Sequence, residues 1–282
     1  DLFVTNSAAM RFSNLEPAEF EFPNYYRNDG EWMFVRTEGQ AFNDSQYSST
    51  GAAVGDIDND GDLDLYVGHY GYGSSNGRDR IFLNDGAGRF VLDTRFEGHV
   101  HTAESTSASL TDFDGDGDLD LLTTVFGEGL RLSVNDGSGV YSLVEDQALL
   151  SRMGPYWGAA SGDIDGDGDL HAVIGAWGYE ERSITILRNE SAFCGRPLRI
   201  ELRTAAGAPD PIGSRVMLIT RGADGERRQM REATGQSSFR SQSAAAFLFS
   251  VPRGERVVAG EMRWPDGRTQ GLTRPRLHGA NV

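Results

Sequence analysis

Three short acidic stretches limit what this chain can become. They read Asp56-Ile-Asp58-Asn-Asp60-Gly61-Asp62-Leu-Asp64, Asp112-Phe-Asp114-Gly-Asp116-Gly117-Asp118-Leu-Asp120 and Asp163-Ile-Asp165-Gly-Asp167-Gly168-Asp169-Leu-His171. Each places carboxylates at positions 1, 3 and 5, a glycine at position 6 and a backbone carbonyl at position 7. Two of them add an aspartate at position 9. This is the oxygen spacing that a hard cation such as Ca²⁺ takes, and the glycine permits the sharp turn around the ion. Without a cation, acids crowded at this density repel one another and disfavour a compact loop. One copy would read equally well as a solvated acidic turn; three copies in register point to calcium sites. The acids of positions 1, 3, 5 and 9 are the expected side-chain ligands, while Asp62, Asp118 and Asp169 at position 7 act through their carbonyls. His171 replaces the last aspartate of the third loop, which predicts weaker calcium binding there or a water in its place.

The loops belong to a longer repeat. In the unit that contains Asp56, a strand is predicted over Gly51–Asp56, then the acidic loop, then an alternating apolar strand over Leu63–Tyr70. A glycine-rich loop, Gly71–Gly77, leads to a third strand at Asp79–Leu83. The turn Asn84-Asp85-Gly86 then leads to a fourth at Arg89–Leu92. Asn-Asp-Gly tolerates the positive φ that tight hairpins demand. It recurs as Asn28-Asp29-Gly30 and Asn135-Asp136-Gly137, with a degenerate form at Asn189-Glu190-Ser191. Four short strands per unit without helical periodicity predict an all-β fold of four-stranded β-propeller blades. Units start near residues 51, 106 and 158. Residues 1–42 read as a partial first blade, because Asp1-Leu-Phe-Val-Thr matches Asp64-Leu-Tyr-Val-Gly and so opens in mid-repeat.

Charge divides the chain in the same place. Residues 1–193 hold 11 arginines against 34 acids, a balance of −23, and residues 194–282 hold 15 against 8, a balance of +7. The expected division is therefore a repeat region over 1–193 and a separate small all-β domain over 194–282, with strands at Leu198–Leu202, Arg215–Ile219, Gln229–Glu232, Ala246–Val251 and Val257–Trp264. The acidic surface argues against nucleic acid as partner. No apolar run is long enough to span a bilayer. The lone Cys194 can make no internal disulfide. All 26 basic residues are arginine, which reads as the codon usage of a GC-rich bacterial genome.

The run Gly55-Asp-Ile-Asp-Asn-Asp-Gly-Asp-Leu-Asp64 followed by Leu-Tyr-Val-Gly68, with Asn84-Asp-Gly-Ala-Gly-Arg-Phe90 after it, resembles the FG-GAP/VCBS repeat. The later segments Ile212-Gly-Ser-Arg215-Val216, Gln229-Met-Arg231-Glu232, Ser241-Gln-Ser243 and Met262-Arg-Trp-Pro-Asp-Gly-Arg-Thr-Gln270 resemble the ASPIC/UnbV domain. Repeats followed by that domain are the layout of the cartilage acidic protein-like family. The resemblance implies calcium-bearing propeller blades on a secreted, cell-surface or periplasmic protein. The chain departs from the pattern at Phe249-Ser-Val-Pro252, where Phe-Gly-Leu-Gly is usual.

Opposite the acidic loops, the remaining loops collect His69, Tyr70, Tyr72, His99, His101, Tyr156, Trp157, Trp177 and Tyr179. Aromatics on loops of a rigid scaffold suit contact with a protein or glycan; the plainer alternative is that they fill gaps between blades. His99-Val-His101 could also offer two imidazoles to zinc or copper, though no third ligand is marked by spacing. Arg215, Arg231 and Arg263 could form an anion site, or pair with Glu232, Glu261 and Asp266. No nucleophile or phosphate-binding motif occurs. The expected function is therefore calcium-stabilised recognition or adhesion, not catalysis. Two alternatives stay open: an UnbV-like enzyme acting on a small molecule, marked by a deep pocket around His99, His101, Tyr156 and Trp157, and a protein that self-assembles through its blades.

Overall fold

The computed structural model describes residues 1–5, 23–31, 33–44, 49–69, 78–96, 105–145, 154–177, 182–190, 194–202, 212–234, 241, 243 and 247–272. Among these, the regular elements are strands apart from one 3-10 turn at Ala41–Asp44. The first sheet joins β1 (Leu2–Val4), β2 (Asn24–Asn28) and β3 (Phe34–Thr37) in sequence order. The second joins β4 (Ser49–Gly55), β5 (Asp64–His69), β6 (Arg80–Asn84) and β7 (Phe90–Leu92). The third repeats this plan with β8 (Ser105–Thr111), β9 (Asp120–Val125), β10 (Gly129–Asn135) and β11 (Tyr141–Leu143). The fourth has β12 (Tyr156–Gly162), β13 (His171–Trp177) and β14 (Arg182–Leu187). All four are antiparallel meanders, the form of propeller blades. The strands expected in the second unit lie within about two residues of their predicted ends.

The repeat extends to irregularities. The first and second strands of the second, third and fourth sheets shift register at one equivalent place: Ser49/Ala52, Ser105/Ser107 and Tyr156/Gly158. A bulge there raises the local twist of each first strand.

Each gap between neighbouring sheets is filled by one apolar cluster. Tyr25, Phe42, Leu65, Phe82 and Phe90 fill the first gap. Ile57, Tyr66, Ile81, Ala108 and Leu121 fill the second, and Phe113, Leu122, Leu130, Tyr156 and Ile174 the third. This corrects the alternation expected for the second strand of a unit. All residues of β5 and β9 are buried, because a blade stands on both of their faces. β8 is buried too, despite reading Ser-Thr-Ser-Ala-Ser-Leu-Thr. Its hydroxyls find partners inside: Thr106 Oγ1 donates to the Tyr156 carbonyl at 2.8 Å, and Thr111 and Ser161 hydroxyls lie 2.8 Å apart.

The remaining strands form two further sheets. β15 (Gly195–Ile200) pairs with β18 (Phe247–Pro252), and β17 (Gly225–Glu232), β16 (Arg215–Gly222), β19 (Arg256–Arg263) and β20 (Thr269–Gly271) form a four-stranded sheet in that order. Leu198, Val216, Leu218, Phe247, Phe249, Val251 and Met262 make their common core. These sheets rest against the acidic loops. The Cys194 N–H donates to the Asp114 carbonyl at 2.8 Å, and the Met217 side chain lies over Gly61.

Candidate metal centres

Each acidic loop joins the first and second strands of a blade, so strand pairing on both sides fixes its ends. The position-6 glycines Gly61, Gly117 and Gly168 hold φ of +99°, +101° and +97°. That left-handed turn folds the acids inward, and only glycine takes it without strain. At Gly117 space matters as well: a Cβ would stand 2.8 Å from the Gln229 side chain.

Within the first loop, Asp56, Asp58 and Asp64 bring carboxylate oxygens within 4.8 Å of one another. Asp112, Asp114 and Asp120 do the same in the second loop. In the third loop the group that converges is Asp165, Asp167 and His171. The position-5 acids Asp60 and Asp116 fall outside the first two groups, and each spends Oδ1 on the N–H of the position-7 residue at 2.9 Å. Asp163 Oδ1 accepts the Gly166 N–H at 2.8 Å.

Position 9 has a second task. Asp64 accepts the N–H of Ile57 at 2.8 Å and of Asn84 at 2.9 Å. Asp120 accepts those of Phe113 at 2.8 Å and Asn135 at 3.0 Å. The carboxylate thus ties the acidic loop to the Asn-Asp-Gly turn of its own blade. Asp1 accepts the Asn28 N–H at 2.9 Å in the same way, which agrees with its assignment to position 9. The turn asparagines then link blades: Asn135 Nδ2 donates to the Ile57 carbonyl at 2.8 Å, and Asn189 Nδ2 to the Phe113 carbonyl at 2.6 Å. Asn189 keeps this bond although its turn sequence is degenerate. The repeat marked these asparagines as turn formers only, and their role between blades went unread.

Desolvation dominates the electrostatics of the first two loops, and Arg231 offsets only part of it at Asp56 and Asp112. Burial pushes Asp56, Asp64 and Asp112 up to about 7, and Asp120 up to about 8. Asp56 Oδ2 and His171 Nε2 are buried without a hydrogen-bond partner. A divalent cation supplies what both observations lack, so the donor sets fit one. In the first two loops the donors are oxygens, as Ca²⁺ requires.

The Asp118 side chain, at position 7, has a part of its own beside the carbonyl. It is 2% exposed, and both oxygens accept from Arg227 Nη1, at 2.8 and 2.9 Å. Asn59, in the first loop, also donates to it at 2.8 Å. Arg231 reaches the same loop, donating from Nη2 to the Gly117 carbonyl at 3.0 Å. It forms no surface anion site with Arg215, which pairs with Glu232 at 2.6 Å.

The expected partner face is met only in part. Tyr70, Tyr72, His99, His101 and Tyr179 lie outside the described residues, as does the loop Gly71–Gly77. His69 and Tyr156 are buried, Tyr156 within the gap between the third and fourth sheets. Trp157 is half-buried, with its Nε1 donating to the Trp177 carbonyl at 2.9 Å and its ring against Phe126. Trp177 is 56% exposed. A cavity of about 180 Å³ lies elsewhere, between the first strands of the blades and β17, lined by Ser109, Thr111, Ser161, Arg231 and Ser243 among others. Neither Tyr156 nor Trp157 lines it.

Blades carrying such loops define a class, the repeat proteins with acidic-loop propeller blades. The family of FG-GAP-like repeats matches residues 1–67, 71–123 and 112–174, and this chain belongs to it. The family described as ASPIC and UnbV matches residues 204–278. The chain is 25% identical over 265 residues to cartilage acidic protein 1 of Mus musculus, covering 87% of this chain and 38% of that protein. It is 23% identical to the Homo sapiens protein of the same name, with the same coverage. The Xenopus tropicalis protein is 24% identical, covering 94% of this chain and 41% of its own length. The chain thus spans about two-fifths of the curated relatives it matches.

Proposed function

We propose that this chain is a calcium-stabilised recognition protein that works outside the cytoplasm, where calcium is plentiful. Residues 1–193 serve as the scaffold of blades and residues 194–282 as a separate all-β domain. The observation that carries the reading is the pair of buried carboxylate groups, Asp56/Asp58/Asp64 and Asp112/Asp114/Asp120, with acids pushed up to about 7 or 8. Calcium would be held there, with Asp60 and Asp116 and the position-7 carbonyls completing the coordination. When bound, it neutralises the loops and ties the blades together. A ligand that binds only the folded form stabilises that form. Trp177, exposed at the end of β13, is the described residue best placed to touch a protein or glycan partner. The reading is of a binding protein and not an enzyme.

Thermal melting with added calcium and then with a chelator tests this. A rise with calcium that the chelator reverses supports it, and melting indifferent to both removes it.

Self-assembly is favoured by one further observation. Ile184 and Ile186 on β14 are 77% and 59% exposed, and Leu2 and Val4 on β1 are exposed at the other end of the blade series. Sedimentation at rising concentration tests it; a monomer throughout rejects it.

A further inference from the structure

The third loop departs from its siblings in one atom type. His171 stands where they hold an aspartate, and it is 2% exposed. Its Nδ1 lies 3.1 Å from the Asp169 carbonyl. A carbonyl only accepts, so Nδ1 donates to it, and Nε2 is left facing the other way. Nε2 has no hydrogen-bond partner. It points at the carboxylates: Asp165 Oδ2 lies 3.4 Å away, and a ligand atom of Asp167 falls within the same 4.8 Å group. A backbone carbonyl that fixes one ring nitrogen while the other faces two carboxylates is the arrangement of a metal-ligating histidine.

We infer that the third loop is a site for a borderline divalent transition-metal ion of the Zn²⁺ class, held by His171, Asp165 and Asp167, while its two siblings suit calcium. Imidazole nitrogen suits Zn²⁺ and its neighbours in the first transition row, whereas Ca²⁺ takes oxygen. The charge at the site runs the same way. Replacing aspartate by imidazole removes one negative charge, and the Arg188 guanidinium, 3.8 Å from Asp165, offsets another. Calcium, which depends on summed carboxylate charge, loses more by this than an ion that bonds to nitrogen. Asp165 and Asp167 are exposed, so water completes the coordination. The inference rests on the acidic loops being cation sites but not on calcium filling the other two.

The test uses the full chain carrying His99→Ala and His101→Ala, which removes the only other closely paired imidazoles in the sequence. With calcium held at about 1 mM, calorimetric titration with Zn²⁺ should show one tight equivalent. His171→Asp, which restores the residue its siblings hold, should weaken Zn²⁺ by more than about 10-fold and add one calcium equivalent. Asp165→Asn should weaken Zn²⁺ while leaving calcium at the other loops unchanged. Visible absorption of bound Co²⁺ should change on His171→Asp. Equal Zn²⁺ affinity in the parent and His171→Asp chains would overturn the inference, as would no tight equivalent in the parent. A separate calcium titration keeps the two ideas apart: Zn²⁺ bound through His171 with no calcium equivalents sinks the functional reading and leaves this one standing.

Discussion

The second and third acidic loops share a nine-residue pattern and live in different surroundings. The second lies beneath β15 and β17. Asp112, Asp118 and Asp120 are buried, Arg227 pairs with Asp118, and the Cys194 N–H caps the Asp114 carbonyl. In the third, residues 164–167 are exposed, and the contact from the C-terminal sheets is Pro197, into which any side chain at Gly168 would run. Asp120 is pushed up to about 8 by burial. Desolvation raises Asp165, but hydrogen bonding, led by the Asp167 N–H, outweighs it and holds the group below the ordinary carboxylate range. One motif therefore serves two ends. Where protein covers the loop, its acids also join parts of the chain; where solvent covers it, its acids stay open to water.

Calcium removal should separate the two most strongly. Two sites at about 100 times their Kd would contribute about 5 kcal/mol, which lowers the melting temperature by about 10 °C or more when withdrawn. Asp112→Asn should abolish about half of that shift, and Asp163→Asn should leave it nearly whole. A large loss from Asp163→Asn would break the comparison.

The pH dependence should follow the same line. The folded pKa values of Asp56, Asp64, Asp112 and Asp120 lie above the unfolded value of 3.8. The folded state therefore binds more protons between about pH 4 and 8, and metal-free stability falls as pH rises through that window. Calcium must displace those protons, so the melting shift it gives should grow from pH 5 to pH 8. Asp120→Asn should flatten the metal-free profile. A profile rising with pH would contradict the buried acids.

Smaller effects distinguish the position-7 residues. Asp118→Ala should cost about 2–3 kcal/mol in denaturant unfolding, since it leaves Arg227 and Asn59 without their acceptor. Asp62→Ala, outside any such pair among the described residues, should stay within about 0.5 kcal/mol. Equal costs would remove the distinction between a position-7 residue paired with arginine and one that is not. Smallest is Asn189→Ala, expected to cost about 1 kcal/mol through the bond to the Phe113 carbonyl. Asn135→Ala should cost more, because Asn135 also receives the Gly137 and Gly139 N–H groups, at 3.0 and 3.1 Å.

Much of the fold was legible because it is local and repeated. The strands of the second unit and five C-terminal strands fell near their predicted places, set by short apolar runs and the turns between them. The buried hydroxyl strand β8 was harder. Ser105, Ser107 and Ser109 look like loop residues until neighbouring blades supply their partners. The convergence of carboxylates was legible by spacing alone at Asp56, Asp58, Asp64, Asp112, Asp114 and Asp120. The partner face was not: Tyr156 and Trp177 read alike in sequence, and only blade stacking buries one and exposes the other.

The amino-acid order alone determined the blades, the turns and the places where acids converge, because each depends on pairings within one repeat unit. Which loop would be covered depended on contacts across the chain. Arg227 meets Asp118 over a separation of 109 residues, and Arg231 meets Gly117 over 114. No period or motif encodes such a meeting, since it arises from how two finished sets of sheets pack. The tertiary structure alone decided that one loop lies beneath the C-terminal sheets while another remains open to solvent.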